Sequence, residues 1–178
     1  MNWSSTLRWG LVGGLLTIIL SLLVYFLSPD SFASLWVVAM FFLLAMFFMI
    51  WGGIDFRKEN NNQISYLQAL AAVMLIAAII SFISSVFSYV LTTYIDPQLA
   101  DLIKQRVIEN TTEMMEKMGA NDDKIDEAID GIKSQDFNFG IKQYLSRYVQ
   151  GLLFYLFFGF LIALFVKRNP DQIPTTTE

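Results

Sequence analysis

Leu67-Gln68-Ala69-Leu70-Ala71-Ala72-Val73-Met74-Leu75-Ile76-Ala77-Ala78-Ile79-Ile80 opens a stretch, residues 67–95, that holds no Asp, Glu, Lys, Arg or His. Hydrocarbon offers a peptide group no water to bond, so an uncharged run of this length must cross a bilayer as a helix that satisfies its own N–H and C=O groups. Residues 11–27, 32–54 and 148–166 are equally free of charge. A single charge at the centre of a crossing helix costs roughly 2.5–3.5 kcal/mol on the insertion scale, so four clean windows in one chain point one way. The fold class expected is all-α: a polytopic membrane protein with four transmembrane helices.

Working outward from these runs, a single membrane domain over residues 1–178 is expected, with spans near 6–27, 33–52, 65–94 and 147–166. Residues 95–143 form an extramembrane helical insertion. Arg8 followed by an apolar run and Ser31-Phe32-Ala33 also has the outline of a cleavable leader. The run exceeds the about 7–15 residues of a leader's apolar core, and Trp3, Trp9 and Tyr25 suit interfacial anchoring, so a retained first span is expected. Ser28-Pro29-Asp30-Ser31 reads as the tight turn after it. Gly52-Gly53 is expected to cap the second helix, leaving 55–63 as a polar link.

Asp96-Pro97 pairs a capping residue with proline and predicts a new helix start. Leu99, Leu102, Ile103, Val107, Met114 and Met118 then recur near a 3.6-residue period, as on an amphipathic helix that ends at Gly119. Asn121 is expected to cap a second short helix with Ile125, Ala128, Ile129 and Ile132 on one face. Gly131 and 134–140 break the pattern before Tyr144 and Tyr148 mark the fourth entry. Lys167-Arg168 and Asn169-Pro170 close that span, and the polar tail is expected to be disordered.

Composition narrows the chemistry. The chain is 55% hydrophobic and only 16% charged, with mean hydropathy +0.51. Its net charge of −4 disfavours nucleic acid, which is bound through Lys and Arg. Cysteine and histidine are both missing, which removes thiol nucleophiles, disulfides and the usual zinc and haem ligands. No Ser–His pair, paired intramembrane Asp or phosphate-cradling glycine loop is present. Asp122, Asp123, Asp126, Glu127 and Asp130 lack the alternation and central glycine of a calcium loop and read as a solvated helix face. The expectation is therefore a protein that is not an enzyme, with no catalytic, metal or cofactor-binding residues and no cofactor. Asn2-Trp3-Ser4 and Asn110-Thr111-Thr112 match a glycosylation triplet that is common by chance.

Candidate contact residues lie on helix faces. Gly10 and Gly14 have the small-xxx-small spacing that lets two helix backbones approach closely, and Gly151, Tyr155, Gly159 and Ala163 form a similar face on the fourth span. Packing within the same bundle is the expected use, and a partner helix is the other. Ser81, Ser85 and Ser88, with Ser84 and Thr92, form a hydroxyl stripe on the third span. It reads as interhelical glue, since no charge accompanies it, or alternatively as the lining of a transport path. Between Tyr94 and Tyr144 eleven acids face six bases, a net charge near −5. Surface helices that bind anionic lipid carry basic faces, so this acidic pair, with Met114, Met115 and Met118 on its apolar stripe, is expected to pack internally or on a partner. The expected partners are the lipid bilayer, other membrane proteins or a second copy, and no nucleic acid.

Orientation follows Lys and Arg near the span ends. Four crossings put Arg8, Arg57, Lys58, Lys167 and Arg168 on one side, while the first turn has none. Lys104, Arg106, Lys117, Lys124, Lys133, Lys142 and Arg147 oppose this from the 94–147 region. The first hairpin is given the greater weight, which places both termini in the cytoplasm and 95–143 outside.

Gly53-Ile54-Asp55-Phe56-Arg57, Ile64-Ser65-Tyr66 with Ala69, Tyr94-Ile95-Asp96-Pro97 and Lys167-Arg168 occur in an order that resembles a bacterial membrane family, catalogued as a domain of unknown function with serial number 4199. The likeness covers nearly the whole chain. Asn60-Asn61-Asn62 stands where a Gly-rich turn is frequent, and Tyr66 where Phe is usual. The resemblance implies a four-helix protein of a bacterial inner membrane, either free-standing or an accessory subunit, and it carries over no catalytic or binding residues.

Overall fold

The computed structural model describes residues 1–134 and 141–167, with the backbone alone for 141–143. Six α-helices account for its regular structure among these residues. They are α1 (Ser4–Leu27), α2 (Leu35–Glu59), α3 (Tyr66–Val90), α4 (Gln98–Lys117), α5 (Asp122–Ser134) and α6 (Ile141–Val166). A 3₁₀ turn, Pro29–Ala33, joins α1 to α2, and a π turn, Leu91–Ile95, prolongs α3. Four helical stretches are long and apolar enough to cross a membrane: Ser4–Leu27, Leu35–Glu59, Tyr66–Ile95 and Tyr144–Val166. The residues beyond Lys167, including the Arg168-Asn169-Pro170 close and the tail, and the break over 135–140 lie outside the described residues.

The burial pattern of α1 is inverted relative to a helix in water. Its buried residues are Ser5, Thr6, Gly10, Gly13, Gly14, Thr17 and Ser21, while Leu11, Leu15, Ile19 and Leu23 are about half exposed. A soluble bundle would turn the leucines inward. In lipid the leucines gain nothing from burial, and small residues win the interface because they let backbones approach. α1 packs on α3 and α2, and α3 packs in turn on α6. Met49, Phe56, Ala69, Ala72, Val73, Ile76, Ala77 and Ala163 are fully buried where these spans meet.

Three helix boundaries differ from the sequence reading. α2 passes straight through Gly52-Gly53 and converts most of the expected polar link into helix. Its glycines are places of close approach rather than a cap: a Cβ at Gly53 would lie 2.9 Å from Val73 Cγ1, and one at Gly52 would press on Trp9 and Ile76. The chain reverses instead at Asn61 and Asn62, both at φ 58°. That left-handed region is one asparagine tolerates, which accounts for asparagines where a glycine turn is frequent. α5 likewise continues through Gly131 to Ser134, since one glycine costs a helix only about 1 kcal/mol. α6 begins at Ile141 rather than near 147, which places Tyr144 and Arg147 within the helix.

Candidate functional site

The motif residues form a clasp at one end of the bundle. Trp9 donates its indole N–H to Asp55 Oδ2 at 2.9 Å, and Arg8 and Lys58 approach the same carboxylate at 3.6 and 3.2 Å. Glu59 accepts from the backbone N–H of Ser5 at 3.0 Å, placing a negative charge at the N-terminus of α1, where the helix dipole favours it. Asn2 and Asn60 exchange two hydrogen bonds of 2.9 and 3.0 Å. Phe56 is fully buried with its ring centroid 4.7 Å from that of Trp3. Arg57 reaches the carbonyl of Val166 at 3.3 Å, and Tyr66 that of Phe160 at 3.3 Å, so α6 is tied to the same end. Ser65 and Gln68 complete a capping box that starts α3.

The opposite end carries the α4–α5 arm. Asp96 accepts from the Gln98 N–H at 3.1 Å and from the Tyr25 hydroxyl at 3.2 Å, which fixes the start of α4 against α1. Arg106 bridges Asp30 of the 3₁₀ turn at 2.6 Å and Glu109 at 2.8 Å. These two acids hold the guanidinium still further above its ordinary pKa, with the Asp30 hydrogen bond the larger cause. Asn110 donates to the carbonyl of Ala33 at 3.0 Å, so its amide serves docking. Among the described elements α5 packs on α4 alone. Asp122, Asp123, Asp126, Glu127 and Asp130 all face solvent. Met114 and Met118 are 51% and 78% exposed and line an open groove of about 790 Å³ with Leu35 and Trp36 at the start of α2.

Between these ends lies a cavity that gathers the expected hydroxyls. A space of about 440 Å³ is lined by Thr17 and Ser21 from α1, Ser81, Ser84, Ser85 and Ser88 from α3, and Arg147, Tyr148, Gly151 and Tyr155 from α6. A neighbouring space of about 250 Å³ shares Phe32, Ser84, Ser85, Ser88 and Arg147 and reaches Thr92 and Tyr144. Tyr144 and Thr92 hydroxyls lie 2.7 Å apart, and Tyr148 donates to the Ala78 carbonyl at 3.4 Å, which sets the spacing of α3 and α6 at the mouth. Thr17 bonds back to the Gly13 carbonyl at 2.9 Å. One turn nearer the clasp, Phe48, Met49, Ile76 and Ala77 are buried, so the space ends about midway along the bundle.

The contact residues anticipated from spacing separate into two groups. Gly10 and Gly14 meet α3: an added Cβ would lie 2.9 Å from Ile79 Cβ and 2.5 Å from Ile83 Cδ1. Gly159 meets Met74 at 2.8 Å, whereas Gly151 meets nothing within 4 Å and borders the cavity. Ser81, Ser85 and Ser88 line the cavity, and Met114 and Met118 line the groove. The reading that no charge accompanies the hydroxyl stripe is corrected: Arg147 lines both spaces. It sits one residue outside the charge-free window at 148–166, at the very start of the expected fourth span. The signal available was its spacing from Tyr144, Tyr148 and Gly151, which share a helical face with it.

Four apolar helices, an inverted first helix and polar clusters confined to the ends and one internal cavity define a polytopic membrane protein. The chain belongs to the family described as Protein of unknown function (DUF4199), whose match covers residues 8–168. No curated protein and no solved structure matches it.

Proposed function

We propose that the protein is a non-enzymatic accessory component of the inner membrane of a bacterium, whose four-helix bundle presents the acidic α4–α5 arm to other membrane proteins. One observation carries the reading. The base of the arm is fixed by Arg106, Asn110 and Asp96, while α5 touches nothing beyond α4 among the described elements and turns its acids to solvent. A segment pinned at its root and free along its charged face is built to be met by something else. The acidic face favours a basic partner surface, and the groove of Met114 and Met118 beside Trp36 supports a contact near the membrane plane.

Both termini are assigned to the cytoplasm and residues 95–143 to the periplasm. Arg8, Arg57, Lys58 and Lys167 lie at the clasp end, whereas Pro29–Ala33 has no Lys or Arg. The non-enzymatic reading is supported by the lack of Cys and His and by a clasp whose longer-range contacts, Trp9 to Asp55 and Arg57 to Val166, tie one helix to another. A transport path lined by Ser81, Ser85 and Ser88 is the rival reading. The buried apolar core below Thr17 opposes it within one chain.

The test is affinity purification from native membranes of the full chain and of a variant with Asp122, Asp123, Asp126, Glu127 and Asp130 changed to Asn or Gln. The expected result is a reproducible set of partners that the variant loses and that fades as salt rises, because screening shortens from about 10 Å at 0.1 M to about 3 Å at 1 M. Identical partners from both forms, or solute flux in liposomes that Ser81→Ala, Ser85→Ala and Ser88→Ala together remove, would contradict the reading.

A further inference from the structure

The inner half of the larger cavity holds hydroxyls that the accessory role does not use. Ser21 of α1, Ser81 of α3 and Tyr155 of α6 border it beside Phe42, Ile80 and Phe154. Tyr155 lies about 12 Å along α6 from Arg147 at 1.5 Å per residue, so this half is set apart from the mouth. Thr17, one turn away on α1, spends its hydrogen on the Gly13 carbonyl. Ser21 is only 8% exposed, yet its hydroxyl makes no hydrogen bond among the described residues. The hydroxyls of Ser81 and Tyr155 make none there either. Buried hydroxyls nearly always have a partner, and a helical serine ordinarily finds one in the carbonyl a turn back. Three uncommitted donors on three different helices around one space mark a site for an acceptor from outside the fold. The space also opens sideways: Val38 of α2 and Phe154 border it and are 54% and 56% exposed, so it is reached from the hydrocarbon between α2 and α6.

We infer that this inner space binds an uncharged membrane lipid by its carbonyl oxygens, with Ser21, Ser81 and Tyr155 as donors and the lipid's apolar chain leaving between α2 and α6. A carbonyl oxygen accepts and donates nothing, which matches a lining whose unspent groups are hydroxyl hydrogens. The site lies about midway along the bundle, below the headgroup plane. A phosphate brought there would lose its water, whereas an uncharged molecule reaches that depth without burying a charge. The volume, about 440 Å³, falls within the about 300–1,000 Å³ of small-molecule sites. A quinone and a diacylglycerol both carry this chemistry. The Phe154 and Tyr155 rings, with centroids 5.5 and 6.2 Å from that of Phe42, form an aromatic wall that favours the flat quinone.

The full-length protein is reconstituted in phosphatidylcholine nanodiscs that hold menaquinone or dioleoylglycerol at the same low mole fraction, released, and analysed by native mass spectrometry. Wild type is expected to retain one menaquinone and less dioleoylglycerol. Ser21→Ala and Tyr155→Phe each remove one donor and little volume, and each is expected to lower retention about threefold to tenfold. Gly151→Phe is expected to lower it at least as far, because an added Cβ there meets nothing within 4 Å and the ring enters the cavity. Tyr94→Phe removes a hydroxyl outside the cavity and is expected to leave retention unchanged. Far-UV circular dichroism and monodispersity establish that the variants are folded. Retention of dioleoylglycerol in place of menaquinone, weakened by the same variants, would keep the site and name the other source. Retention of neither lipid, retention of phosphatidylcholine in their place, or retention that Ser21→Ala and Tyr155→Phe both leave unchanged would overturn the inference.

Discussion

Phe56→Ala is expected to cost about 3–5 kcal/mol, the usual range for emptying a fully buried aromatic site. The position cannot easily collapse onto the void. Asp55 and Glu59 on either side are tied to Trp9 and to the α1 backbone, and Arg57 is tied to Val166, so the surrounding backbone is held in place. Trp3, tilted against the ring at 38°, loses its partner at the same time. Phe56→Leu keeps most of the volume and loses mainly the aromatic contact, worth about 0.5–1.5 kcal/mol. Reversible unfolding in mixed micelles, followed by far-UV circular dichroism, measures both. A Phe56→Ala loss no larger than that of Phe56→Leu would mean the clasp does not hold the first helix hairpin together.

Gly52→Val is expected to destabilise the bundle by about 1–3 kcal/mol, the range for inserting carbons into a filled core. An added Cβ would press on Ile76 Cδ1 and lie 2.9 Å from Trp9 Cβ. The isoleucine tip can rotate aside, but a Cβ is fixed to its backbone, so α1 must move away from α2. Relief from the helix penalty of glycine returns only about 0.5–1 kcal/mol, which does not offset the clash. Gly151→Ala has the opposite sign: with nothing within 4 Å, it keeps the propensity gain and stabilises by up to about 1 kcal/mol. The pair separates a glycine needed for close approach from one that borders a cavity. Equal shifts at the two positions would show that α1, α2 and α3 do not meet as described.

The four spans were legible because charge exclusion acts on every residue of a crossing helix, so the pattern is redundant. The acidic arm was legible for the same reason, in its 3.6-residue stripe and its net charge. The boundaries at Gly52-Gly53 and Gly131 were not, because a glycine's local signal is the same whether it caps a helix or admits a neighbour. Only the partner, Trp9 and Ile76 for Gly52, distinguishes the two. Arg147 was missed as a lining residue because a window that stops at the first charge excludes the residue a cavity mouth is built around. The hydroxyl stripe was seen on α3 alone; Thr17, Ser21 and Tyr148 join it through tertiary packing that no single segment encodes.

Everything rests on four crossings that bring residues 1–9, the α2–α3 turn and Lys167 to one face of the membrane and the α4–α5 arm to the other. The chain has no cysteine, so single cysteines report cleanly. Asn61→Cys and Asp126→Cys, each in sealed spheroplasts treated with a membrane-impermeant maleimide, test this most directly. The account predicts labelling of Cys at 126 in intact spheroplasts and of Cys at 61 only after the membrane is opened. Labelling of both from the same side, or recovery of the chain in the aqueous fraction, would contradict it.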